Sequence, residues 1–184
     1  KQRKKPNLHE GEYVPVVSAK SPGEMIYMDL ISISVEAKNG EKYVLSILDG
    51  FTRYVQLHPI KDKKMSTVSN VLVEHWISEM GNPDVVVTDQ GKEFTGDVFQ
   101  KTLVSRGITH KLIPPGEKQQ NIVERLHGTV WMILRAIRAE GKSEDRNWPL
   151  WVKEAQLAYN ARIHRSIQQT PAWNPKLTLG LSNP

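Results

Sequence analysis

The chain switches between two hydrophobic periods. Met25 to Val35 is an apolar run that reads as a strand. Lys38-Asn39-Gly40-Glu41 then reads as a hairpin turn, because asparagine and glycine tolerate positive φ. Tyr43 to Asp49 is a second strand, and the alternation from Thr52 to Pro59 is a third. At Met65 the period lengthens. Val68, Val71, Leu72, Trp76 and Met80 recur at helical spacing, which predicts an amphipathic helix over Met65 to Met80 that Gly81 stops. Val85 to Thr88 is a fourth strand. Gly96 to Arg106 is a helix with Val98, Phe99, Thr102 and Leu103 inward, and Ile108 to Leu112 is a fifth strand. Pro114 to Gln119, with two prolines and a glycine, is a loop. From about Gln120 to Glu140 a long helix buries Val123, Leu126, Val130, Ile133, Leu134 and Ile137. It carries Glu124, Gly128, Trp131, Arg135 and Arg138 to one side. After a polar break at Gly141 to Asn147 comes a last helix, Trp148 to Arg162, with Trp148, Trp151, Val152, Ala155, Ala158 and Tyr159 on one side. Three hairpin-linked strands followed by helix, strand, helix and strand predict an α/β fold with a mixed five-stranded sheet flanked by helices.

Three carboxylates interrupt this pattern. Asp29 is a lone acid inside the first strand, Asp89 ends the fourth, and Glu124 sits in the first turn of the long helix. An acid in an apolar strand costs free energy unless it is paired or holds a metal. Three acids on elements that can converge point to a carboxylate metal site. Hard oxygen ligands in a chain without cysteine favour Mg²⁺ or Mn²⁺. Asp49, beside Gly50 at a strand end, reads as a turn-capping aspartate in preference to an auxiliary ligand.

These residues carry a resemblance. Asp29, Asp89 and Glu124 resemble the Asp-Asp-Glu triad of retroviral and retrotransposon integrases. Thr88-Asp89-Gln90-Gly91-Lys92-Glu93-Phe94 is similar to that family's aspartate-x-glycine-x-x-phenylalanine segment, and Val123-Glu124-Arg125 to its glutamate helix. Tyr159-Asn160, His164 and Thr170-Pro171 resemble the motif that follows in gypsy-type elements. Asp89 to Glu124 is one residue shorter than the family's usual spacing, and Asn121 stands where a glycine is common. Both departures fall on the loop and not on the acids. The resemblance implies a ribonuclease-H-like fold and two divalent ions per active site, held by Asp29, Asp89 and Glu124. It also implies metal-dependent trimming of retroelement DNA ends and their joining to target DNA, and action in the nucleus, with a cytoplasmic particle before entry. A dimer interface against the Met65 helix and the last helix is implied too, so the expected assembly is a homo-oligomer, dimer or tetramer.

Charge extends this picture. A net charge of +5 and a pI near 9.4 make a polyanion a fitting partner. DNA contacts are expected from Lys4 and Lys5 in a basic arm; from Gln120, Asn121, Arg125, Trp131 and Arg135 on the glutamate helix; and from Arg162 and Arg165, with His164, after the last helix. No apolar run approaches a membrane span. Residues 1–22 read as the arm, 23–165 as the catalytic core and 166–184 as an extension. The family's zinc-binding module would precede the arm and needs cysteines, so an excised core is expected; His9 alone is no zinc site. Two other readings share these residues: a non-catalytic DNA- or protein-binding module derived from an integrase, and a transposase with the same triad.

Overall fold

A computed structural model describes residues 19–114, 121–139, 145–164 and 170–171. Five strands form one sheet: β1 (Met25–Ser32), β2 (Tyr43–Asp49), β3 (Val55–Ile60), β4 (Val85–Thr88) and β5 (Thr109–Leu112). Their order is β3-β2-β1-β4-β5. The β1–β2 and β2–β3 pairs are antiparallel, whereas β4 runs parallel to both β1 and β5. The mixed sheet is therefore the one that the element order predicts.

Helices cover both faces. One side carries α1 (Met65–Val71), a π-helical turn (Leu72–Ile77), α2 (Ser78–Met80), α3 (Lys92–Thr95) and α4 (Asp97–Val104). The other carries α5 (Asn121–Ala139) and α6 (Trp148–Ala161), the latter entered through a 3₁₀ turn at Asp145–Asn147. The central strand β1 feeds both layers by simple alternation. Ile26 and Met28 pack with Val68, Leu72, Trp76 and Phe99, while Met25, Tyr27 and Ile31 pack with Leu126, Val130, Trp151 and Val152. Asp29 shares the parity of Tyr27 and Ile31, so it belongs to the face that α5 covers.

The sheet's outer strand β3 is sealed by side chains. Asn160 on α6 accepts the Val55 N–H through Oδ1 at 3.0 Å and donates Nδ2 to the Val55 carbonyl at 2.9 Å. Gln156, one turn earlier, accepts the Leu57 N–H at 2.7 Å. Two amides thus occupy the main-chain positions that a sixth strand would have used.

Several expectations shift. β1 ends at Ser32, not Val35, because the chain leaves the sheet for a hairpin loop in which Ala37 N–H bonds Glu41 O and Gly40 N–H bonds Ala37 O. Only Gly40 of the Asn39-Gly40 pair takes positive φ, at +93°. The third strand starts at Val55 instead of Thr52, since Asp49 to Tyr54 forms a tight turn with Arg53 at φ 67°. Val98, predicted inward, is 44% exposed, and Ala158 also faces out. In each case the helix buries a narrower stripe, Phe99 with Leu103 on α4 and Val152, Ala155 and Tyr159 on α6. Gly81 ends the first helical layer at φ +88°, as predicted. Among the described residues no helix is long and apolar enough to cross a membrane.

Candidate carboxylate active site

The parallel ladder sets two acids side by side. β1 and β4 pair through Met25 with Val85, Ile26 with Val86 and Tyr27 with Val87. Asp29 and Asp89 each lie two residues further on, at matching positions where the two strands leave register. Neighbouring strands run about 4.8 Å apart, so Asp29, inside β1, and Asp89, just past the end of β4, lie side by side.

Glu93 joins them. Asp89 Oδ1 accepts the Gly91 N–H at 2.9 Å, closing a small turn. A Cβ on Gly91 would stand 2.9 Å from Glu93 Cδ and 3.0 Å from Asp89 Oδ1, so both carboxylates lie close against this glycine. Burial pushes the Asp29 carboxyl up to about 6, and the nearby charges of Asp89 and Glu93 push the same way; the Leu30 N–H on Oδ1, at 2.8 Å, opposes them. Among the described residues no lysine or arginine forms an ion pair with Asp29, Asp89 or Glu93.

The second oxygen of Asp29 faces α5. His127 Nε2 lies 3.8 Å from Asp29 Oδ2 and 3.4 Å from Ser46 Oγ, and Ser46 donates to the Asp29 carbonyl at 3.1 Å. Burial lowers the His127 imidazole to about 4, so it is neutral and the 3.8 Å approach is no ion pair. Glu124 lies one turn before His127. Residues three apart share a helix face, so the His127 contact sets the Glu124 face of α5 toward the strand ends. Glu124 itself is exposed and touches neither aspartate. Among the described residues no three acids or histidines stand close enough together to hold one ion. Asp89 and Glu93 are near enough to act on the charge of Asp29 but not gathered into one ligand set, and Glu124 stands on the neighbouring helix.

A cleft of about 610 Å³ opens on Asp89 and Glu93, and Lys63, Lys64 and Lys92 line it. A groove of about 530 Å³ runs between α5 and α6, lined by Arg125, Gly128, Met132, Arg162 and Ile163. Arg125 and Arg162, separate in the sequence, therefore share one surface. His164 packs its ring on Tyr159 at 4.5 Å and reaches the Tyr159 carbonyl at 3.2 Å, so it holds the chain after α6. Trp131 is half-buried, and Arg135 is exposed at the rim of a separate cavity with Trp148 and Trp151. Lys4, Lys5, Gln120 and Arg165 lie outside the described residues, as do the Asn121 and Arg138 side chains and the Pro114 loop beyond Pro114 itself.

Asp49 is a different case. It is fully buried and saturated, accepting from Gly23 N–H at 2.9 Å and from both Thr52 N–H and Thr52 Oγ1 at 2.7 Å. It caps the turn, as expected. Sequence reading missed Glu93, Ser46 and His127. Glu93 stood inside the quoted motif, but nothing local marks the other two.

Asp29 inside β1 and Asp89 just past β4 thus form a carboxylate cluster on adjacent parallel strands of a mixed sheet. The integrase core domain family matches residues 19–118, and the chain belongs to that family. It is 31% identical over 107 residues to a Gag-Pol polyprotein of Walleye dermal sarcoma virus, covering 58% of this chain and 6% of that protein. It is 22% identical over 145 residues to the retrovirus-related Pol polyprotein from transposon 412 of Drosophila melanogaster, covering 74% of this chain and 11% of that protein. The chain thus spans only a small part of the curated relatives it matches. Among solved structures, a simian T-cell lymphotropic virus intasome in complex with PP2A regulatory subunit B56 gamma aligns with TM-score 0.73 and 21% identity, over 92% of this chain and 60% of that one. The HTLV-2 integrase catalytic core domain in complex with magnesium aligns with TM-score 0.66 and 18% identity, over 82% and 94%. The fold is ribonuclease-H-like, and the chain is a retroviral or retrotransposon-type integrase core.

Proposed function

We propose that this chain is the catalytic core of a DNA strand transferase that trims retroelement DNA ends and joins them to target DNA, with Asp29, Asp89 and Glu124 as its metal-holding acids. One observation carries this reading. Asp29 is partly desolvated, lies against two like charges and has no cationic side chain as partner. Such a set of hard oxygen donors fits a divalent cation, which offsets the repulsion that raises the Asp29 carboxyl. Asp29 and Asp89 would hold one Mg²⁺ or Mn²⁺, with Glu124 completing a second position. Ions held there would supply Lewis acidity to the attacking oxygen, water or a DNA 3′-hydroxyl, and to the leaving 3′-oxygen.

The chain's own residues do the rest. Leu30 N–H fixes one oxygen of Asp29, and neutral His127 leaves the other free of competing charge. Gly91 N–H orients Asp89. Lys63, Lys64 and Lys92 offer phosphate contacts beside the acids, and Arg125 with Arg162 offers them along the α5–α6 groove. Lys4, Lys5 and Arg165, outside the described residues, belong to the same DNA-contact reading. Homo-oligomerisation, action in the nucleus, and a core at 23–165 between an arm (1–22) and an extension (166–184) belong to the same reading. Leu150 and Leu157, 67% and 62% exposed on α6, suit a subunit contact.

Glu124→Gln tests the assignment. It keeps shape on an exposed helix position and removes one metal-holding charge. In an assembly with its flanking domains, end trimming and joining should be lost while DNA affinity is equal or slightly higher. Robust joining by the variant removes Glu124 from the site.

A further inference from the structure

Next to Asp89, outside the lining of the cleft, lies a partly buried polar chain that the chemistry above does not use. It starts at Gln100 on α4. Its Nε2 donates to the Phe94 carbonyl at 2.8 Å, and a carbonyl can only accept, so the amide nitrogen must face this way. The second hydrogen of that nitrogen points to His110 Nδ1 at 2.6 Å. His110 therefore accepts at Nδ1 and carries its proton on Nε2. Burial holds the ring neutral, at about 4, and its edge packs on Phe99 at 5.6 Å. His110 Nε2 lies 2.9 Å from Thr88 Oγ1, which is fully buried. The Thr88 hydroxyl in turn donates to the Asp89 carbonyl at 2.7 Å.

From the Gln100 amide through His110 and Thr88 the donors run in one direction, and the direction ends on Asp89. The position matters. The β4–β5 ladder closes with Ile113 N–H on the Thr88 carbonyl at 2.8 Å. Asp89 is the first residue past that bond, so the sheet no longer fixes its peptide plane. The Thr88 hydroxyl does so instead, and the Gly91 N–H holds the carboxylate from the other side. Phe94, which closes the aspartate-glycine-phenylalanine segment, is anchored by the same Gln100 amide.

We infer that His110 is a positioning residue for Asp89, acting through the Thr88 hydroxyl to fix the carboxylate that the proposed metal site needs. This rests on the reading of Asp29 and Asp89 as metal-holding acids. The fold alone does not require the relay: a valine at position 88 would fill the same space and keep the ladder bond.

The test uses the full chain and Mn²⁺ alone, with affinity measured by calorimetry and folding by thermal melting. Thr88→Val keeps the shape and removes the hydroxyl; Thr88→Ser keeps the hydroxyl. Thr88→Val should lower Mn²⁺ affinity by about tenfold or more, the usual cost of losing an outer partner of a metal ligand. Thr88→Ser should keep the wild-type affinity. His110→Phe should match Thr88→Val, and the double variant should lose no more than either single one, because one path is being cut twice. Thr88→Val that melts lower but binds Mn²⁺ as the wild type does would overturn the positioning role and leave the carboxylate site standing. A wild-type chain that binds no Mn²⁺ while Asp29→Asn and Asp89→Asn melt like it would bring down the metal-site reading, and this inference with it.

Discussion

Asp29 sits in the middle of the β1–β2 ladder and Asp49 at one end of it, and the two resemble each other in sequence. Each is a lone acid in an apolar strand. Asp49 pairs in register with Ile26, and Asp29 with Ser46. Asp49 is the more deeply buried, at 0% exposure against 31% for the Asp29 side chain, yet it is the quiet one. Three donors saturate its carboxylate. Asp29 has one backbone donor, a neutral histidine and two carboxylates for neighbours. Burial does not separate a structural acid from a reactive one; what separates them is whether the surroundings neutralise the charge or leave it to be met from outside.

The largest effect that tests this contrast is catalytic. Asp29→Asn should cut strand joining by more than about a hundredfold, beyond what losing an outer partner of a metal ligand costs. The metal-free variant should nevertheless melt no lower than the wild type. The folded carboxyl, near 6, is above the ordinary 3.8, so its charge destabilises the fold above about pH 6, and the burden lifts as pH falls toward 4. Removing it should stabilise the metal-free protein at neutral pH by about 1–2 kcal/mol, discounted for partial exposure. A variant that melts much lower would make Asp29 structural.

Asp49→Asn should do the reverse. An amide cannot accept all three bonds, and one of its own N–H groups would face a donor. Stability should drop by about 3 kcal/mol, and Mn²⁺ binding by the folded fraction should be unchanged. Denaturant unfolding and a Mn²⁺ titration on the same sample decide this; a loss of Mn²⁺ affinity without a loss of stability would return Asp49 to the list of ligands.

The smallest effect is in the pH dependence. His58, His110 and His127 are each lowered to about 4, chiefly by burial. Groups held neutral in this way contribute stability above about pH 6.5 that is lost as pH falls toward 4. Asp29 acts in the opposite sense over an overlapping range. The melting temperature should therefore fall on acidification from pH 6.5, and more steeply in Asp29→Asn, which lacks the compensating gain. Parallel profiles for the two proteins would mean that the Asp29 carboxyl is not raised.

The sheet was legible because its strands are short and separated by glycine or proline turns, and because β1, β2 and β4, in its middle, are largely apolar. The Asp29–Asp89 pair was legible for the same reason, since an acid stands out in such runs. Other features were not. Val98 and Ala158 fit a helical stripe by angle, but spacing gives a direction and not the width of the surface waiting there. The π-helical turn at Leu72–Ile77 leaves Val68, Leu72 and Trp76 on the spacing of an ordinary helix. His127 and His110 matter through partners on other elements, Asp29 on β1 and Thr88 on β4, and such pairings exist only once the sheet order is known. Trp131 read as part of a DNA-facing side, whereas α6 brings Trp148 and Trp151 to it.

Asn160 closes the account of the Tyr159-Asn160 pair, which served above as a mark of kinship. Its amide touches no acid and no groove; it bonds both main-chain groups of Val55. A descendant of this protein that lost Asp29, Asp89 and Glu124 would still need that amide, because an unsealed outer strand invites other chains to add to it. The two parts of the signature therefore report different histories. On the proposed reading the acids record whether a lineage still cuts and joins, and the asparagine records only that its sheet must stay closed to strangers.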